Sequence, residues 1–120
     1  MTKIFLSYTA IIEGLTGLGL IFVPALVAHV LFGAESVDRL TIVLAMVGGA
    51  AICSIALLSW LTRLSTVAGN FPKVLLFYNI AVSAILLYAC LKFGYHWIML
   101  YVVIFFHLFQ SAVGAFLLKK

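Results

Sequence analysis

Apolar residues dominate four long stretches of the chain, 4–23, 40–61, 74–91 and 97–118, with polar residues gathered between them. A helix rises ~1.5 Å per residue, so each stretch has the length needed to cross a hydrocarbon core of ~30 Å. The last three contain no Asp, Glu, Lys or Arg, and the first contains a single acid, Glu13, in its middle. No alternation of period two runs through them, which excludes a membrane barrel. Connections this short force neighbouring spans to run antiparallel. The pattern therefore predicts an all-α membrane protein, a single domain over 1–120 with four transmembrane helices in an up-down-up-down bundle.

The stretch 24–32 is apolar but too short to span. Pro24 suits a first helical turn and Gly33 suits a helix stop, so a short interfacial helix is expected there. The following loop, 33–38, holds Glu35 and Asp38, and either Ser36 or Asp38 is placed to cap the second span. The connection 62–72, with Gly69, Asn70 and Pro72, is the longest polar one, and 92–96 forms the last turn.

Composition turns this pattern into a statement about solvent. The 120 residues are 67% hydrophobic and only 8% charged, against about 25% charged in soluble domains. Two cysteines exclude a disulfide scaffold, and Cys53 and Cys90, isolated in apolar helices, read as packing residues. A net charge of +4 spread over ends and loops does not fit a nucleic-acid binder. Lys3, Arg63, Lys73, Lys119 and Lys120 share one side, against Arg39 and Lys92 on the other. By the positive-inside rule both termini are expected in the cytoplasm, and the membrane is expected to be a bacterial-type cell inner membrane. Trp60, Tyr95, Trp97 and Tyr101 fall near span ends, where interfacial aromatics belong. The first stretch is not read as a cleaved leader, because it is long and carries an acid.

The polar exceptions inside the spans are the informative positions. Thr9, Glu13, Thr16 and Gly17 share a face of the first helix, and His107, Gln110, Ser111 and Gly114 form a stripe on the fourth. The third offers Asn79, Ser83, Leu86 and Cys90; the second offers the small residues Ala45, Gly48, Gly49, Ala51 and Ser54, a surface that lets another helix approach. At ~1.5 Å per residue, Glu13 and Ser83 lie ~14 Å from the cytoplasmic surface, His107 ~17 Å and Gln110 ~12 Å. One layer near the midplane thus collects the buried acid and the buried imidazole. A charged residue there costs ~2.5 to 3.5 kcal/mol on insertion scales, so Glu13 must face the interior and find a partner. Two roles fit the layer. Glu13, His107, Gln110, Asn79 and Ser83 line a small cavity that binds a proton or a partly polar ligand. Alternatively Glu13 is neutral and hydrogen-bonded, as glue between helices or between protomers.

His29 and His96 fall on the outer side, where they read as residues facing water and headgroups. No metal-ligand spacing, nucleophile elbow, phosphate loop or paired carboxylate is present, so no catalytic residue, no metal and no cofactor is clearly implied. Gly14, Gly17 and Gly19 lie inside a span with no preceding strand and make no dinucleotide fingerprint.

Gly14, Gly17 and Gly19 in the first helix, then Pro24, then Phe32 and Gly33, then a Gly-rich second helix, resemble the DoxX-like group of small four-helix bacterial membrane proteins. The resemblance covers most of the chain and implies an architecture; some members of that group are associated with membrane redox complexes, and no functional residue carries over. Glu13 in a first helix is also similar to the membrane-embedded Glu of small multidrug resistance transporters. This chain departs from that pattern in lacking a Lys later in the first helix and in carrying Trp60 in the second helix.

Three functions follow as expectations. The first is a non-enzymatic binding or assembly module whose partners are membrane lipids, further copies of itself or other membrane subunits. The second is a proton-coupled small-molecule transporter using Glu13. The third is a membrane-anchor subunit of a redox complex, with His29, His96 or His107 near a haem or quinone.

Overall fold

A computed structural model describes residues 2–65 and 70–118 of the chain. Gly69 of the 62–72 connection and the basic pair Lys119 and Lys120 lie outside the described residues. Five helices follow in order: α1 (Thr2–Phe22), α2 (Pro24–Phe32), α3 (Arg39–Thr62), α4 (Phe71–Phe93) and α5 (Ile98–Leu118). All but α2 are long and apolar enough to cross a membrane, which makes this a multi-pass membrane protein by length and composition. The helices α1 to α3 form one compact unit, and α4 with α5 forms a second.

Local chemistry sets the helix ends. Pro24 opens α2, and Gly33, at φ 69°, closes it with its N–H donated to the His29 carbonyl. Gly94, at φ 71°, closes α4 on the Cys90 carbonyl in the same way. That left-handed conformation is where a residue without a Cβ is needed. Asp38 is the residue that caps α3: its carboxylate accepts from the Thr41 N–H at 2.7 Å and from the Thr41 hydroxyl at 3.1 Å. Those two donors, the backbone N–H first, hold its carboxyl below the usual range. The helix α4 begins at Phe71, three residues before the uncharged run at Val74, because Pro72 is tolerated in a first turn that Asn70 precedes. At the end of α3 the Arg63 guanidinium lies 3.3 Å over the Trp60 ring and donates to the Trp60 carbonyl.

Burial inside the first unit follows the helical period. Leu6, Thr9, Ala10, Glu13 and Gly17 make the buried stripe of α1, whereas Tyr8 is exposed. On α3 the buried residues are Gly49, Ala56 and Ser59. The two helices meet where side chains are smallest. A Cβ placed on Gly17 would stand 2.6 Å from the Cys53 sulfur and 2.8 Å from the Gly49 carbonyl oxygen. One placed on Gly49 would stand 2.6 Å from the Gly17 carbonyl oxygen, and one on Gly14 would touch Ala56 at 3.7 Å. The expected small-residue surface thus shifts to Gly49, Cys53 and Ala56. Gly48 meets nothing within 4 Å, and Ala51 and Ser54 are exposed. The reason is angular, since residues 49, 53 and 56 share a face that 48 and 51 do not. Association of helices in lipid rests on van der Waals contact of this kind, because lipid removes the hydrophobic drive.

This packing predicts opposite outcomes for neighbouring glycines. Gly17→Ala or Gly49→Ala is expected to destabilise the protein by about 1 to 3 kcal/mol, the usual cost of overpacking. Gly48→Ala should be neutral or slightly stabilising, since Ala is the better helix former by ~1 kcal/mol. Thermal unfolding of the detergent-solubilised variants reads the difference; equal melting temperatures for Gly17→Ala and Gly48→Ala would contradict the close approach.

Candidate polar site in the α4 and α5 pair

The second unit buries polar side chains where a soluble protein would bury apolar ones. On α4 the buried positions are Phe71, Leu75, Asn79, Ser83 and Cys90; on α5 they are Leu100, Ile104, His107, Gln110 and Gly114. Spacings of three, four and seven make each set a single face. Asn79 and Gln110 are each 1% exposed and His107 is 6% exposed. Outside, the same helices present Phe77, Ile80, Phe105 and Phe109, all more than half exposed. This inside-out distribution suits a chain whose solvent is lipid.

Within that face the hydrogen bonds have a defined direction. The Asn79 amide nitrogen donates to the Leu75 carbonyl at 2.8 Å, one turn back on its own helix. A carbonyl only accepts, so this bond fixes which end of the amide is nitrogen and turns Oδ1 toward α5. His107 Nδ1 lies 2.7 Å from that Oδ1. The amide oxygen also only accepts, so Nδ1 carries the proton and donates. The Ser83 hydroxyl donates to the Asn79 backbone carbonyl at 2.8 Å, and the Ser111 hydroxyl to that of His107 at 2.9 Å. Both serines are therefore satisfied by their own helices. Tyr78 and Phe106 meet the imidazole nearly edge-on, at ring centroid distances of 5.8 and 5.6 Å, and fix its plane.

Four of the expected site residues, Asn79, Ser83, His107 and Gln110, thus lie on the buried faces of α4 and α5, with Asn79 and His107 directly bonded. Glu13 belongs to the first unit, near the middle of α1, and is 2% exposed. Of the outer histidines, His29 places Nδ1 3.1 Å from the Ala34 carbonyl oxygen, and His96 places Nδ1 2.7 Å from the Tyr101 hydroxyl, rings stacked. Cys53 and Cys90 are both free thiols. Among the described residues no group of three or more His, Cys, Asp and Glu side chains is placed to hold a metal ion. Comparison with protein-family models, curated proteins and solved structures finds no match to this chain.

An interhelical hydrogen bond in a membrane is worth about 0.6 kcal/mol on average and 1.7 at most in double-mutant cycles. Good apolar packing supplies as much, so stability alone does not demand a histidine here. The bond predicts a measurable coupling all the same. Asn79→Leu and His107→Leu are each expected to destabilise, and the double variant should recover about 0.6 to 1.7 kcal/mol relative to their sum. Strict additivity in thermal unfolding would deny the bond.

Proposed function

We propose that this chain is a non-enzymatic binding or assembly module of a bacterial-type inner membrane, a four-helix bundle with a polar interior that takes up a small, partly polar ligand. The observation that carries this reading is the oriented Asn79 to His107 hydrogen bond, buried between α4 and α5. A buried imidazole held at one nitrogen by an amide is an ordered polar group, which is what a ligand site needs. Gln110, one turn beyond His107 on α5 and 1% exposed, is a further buried polar group of that helix pair.

Topology supports the reading. Successive contacts run in opposite senses along both helix pairs: Gly14 with Ala56 but Gly17 with Cys53, and Asn79 with His107 but Leu76 with Gly114. That is the order of antiparallel neighbours and suits an up-down-up-down bundle. Too short to span and without a buried residue, α2 fits an interfacial helix. The excess of Lys and Arg beside the chain ends favours cytoplasmic termini. The small-residue α1 and α3 contact is in keeping with the resemblance to DoxX-like proteins. Partners on this reading are membrane lipids, further copies of the chain or other membrane subunits.

Native mass spectrometry of protein extracted in mild detergent is expected to show a bound small molecule or a defined oligomer. Bare monomer in every detergent tried would overturn the proposal.

One observation favours a second reading, a proton-coupled transporter: Glu13 is a buried acid at mid-helix of a membrane span. In proteoliposomes under an imposed pH gradient, ethidium flux should then be abolished in Glu13→Gln, which keeps the shape and removes titration. Flux equal to the parent protein's would remove this reading.

A further inference from the structure

The direction of the hydrogen bonds in α4 and α5 limits what the site can recognise. The Leu75 carbonyl orients the Asn79 amide, the amide oxygen takes the proton on His107 Nδ1, and in the uncharged ring the other nitrogen, Nε2, is then a lone-pair acceptor. Among the described residues Nε2 makes no hydrogen bond. His107 as a whole is 6% exposed, and within a membrane span an acceptor left without a donor carries a desolvation cost. The edge-on rings of Tyr78 and Phe106 hold the imidazole plane and with it the direction of the lone pair. Gly114, on the same buried face of α5, contributes no side chain.

We infer that His107 Nε2 is the recognition point for an uncharged ligand that donates a hydrogen bond, an apolar molecule bearing a hydroxyl such as a phenol or a lipid alcohol. The inference rests on the binding reading above and names its ligand class. A hydroxyl supplies the donor that Nε2 lacks, and its apolar body matches the surrounding side chains. A ketone, an ether or an ester of the same shape offers oxygens that only accept, and sets two lone pairs against each other. A site built to bond a hydroxyl rejects the analogue lacking it far more strongly than an apolar pocket rejects a missing methylene. The site therefore distinguishes a reduced, hydroxyl-bearing ring from its carbonyl form. Asn79 is a positioning residue here: it sets which nitrogen of His107 is the acceptor without touching the ligand.

The test uses the full chain in detergent micelles with isotopically labelled histidine. His29→Gln and His96→Gln together leave His107 as the reporter, and nitrogen NMR reads the protonation of each ring nitrogen. The expected result is a proton on Nδ1 and none on Nε2. Titration with para-hexylphenol should then move the Nε2 resonance saturably, whereas its methyl ether should not. In Asn79→Leu the proton should redistribute between the two nitrogens, and the phenol response should weaken about tenfold, ~1.4 kcal/mol. A ring protonated on Nε2 in the parent protein, or equal responses to the phenol and the ether, would overturn the inference. Native mass spectrometry separates this failure from that of the binding reading. A bound molecule without a hydroxyl leaves a binding module and removes the donor rule, while bare protein together with a silent titration removes both.

Discussion

The hydrocarbon of a membrane cannot hydrogen-bond, so polar groups within the spans need partners in the protein or in what it binds. This chain meets that demand chiefly by turning polar side chains onto their own helices. Ser54, Ser59, Thr62, Ser83 and Ser111 each donate a hydroxyl to a carbonyl one turn back, and Asn79 does so with its amide nitrogen. Such residues look reactive in a sequence and are chemically spent in the fold. An amide has two ends, however, and the bond that uses up the Asn79 nitrogen leaves its oxygen to face another helix. His107 is thereby held from α4 even though it belongs to α5.

The same solvent explains why the two helix pairs are joined differently. In the first unit α1 and α3 approach through Gly17 and Gly49, where one added methyl would collide with a backbone oxygen. Close packing supplies the attraction, and specificity comes from which face is small. In the second unit the helices carry larger residues, and a directed polar bond crosses between them. Packing alone holds helices together; a directed bond also determines the chemical state of a side chain. For this reason the α4 and α5 pair is the better candidate for recognition, although Glu13 is the more conspicuous residue in the sequence.

The four spans were legible because an uncharged apolar run of about membrane length is seldom anything but a membrane-crossing helix. The small-residue face was not. Around Gly48, Gly49, Ala50 and Ala51 the helix α3 is small on every side, and periodicity cannot choose among faces that all look alike; the partner's Gly17 makes the choice. The start of α4 was blurred for a different reason, since Lys73 ends the uncharged run while Pro72 already sits in the helix. In the candidate site, the stripes of Asn79 and Ser83 and of His107 and Gln110 followed from spacing. What spacing could not reveal is that Ser83 would be consumed by the Asn79 carbonyl while Asn79 reached His107. Those outcomes depend on rotamers and on the register of α4 against α5, which no single helix encodes.

The choice of Asn at position 79 is itself informative. A leucine there would pack, and a serine would satisfy itself on the preceding turn as Ser83 does. An ionised acid would accept from His107 but could not donate to the Leu75 carbonyl, so nothing would hold it in place. Asn is able to do both at once. It converts a backbone carbonyl of α4, whose direction the helix geometry dictates, into a fixed acceptor aimed at α5. The tautomer of His107 is therefore a consequence of helix direction, passed through one amide. The polarity of the last atom in that chain, Nε2, is a property of the fold, and it is this property that gives an otherwise greasy helix pair a chemical preference.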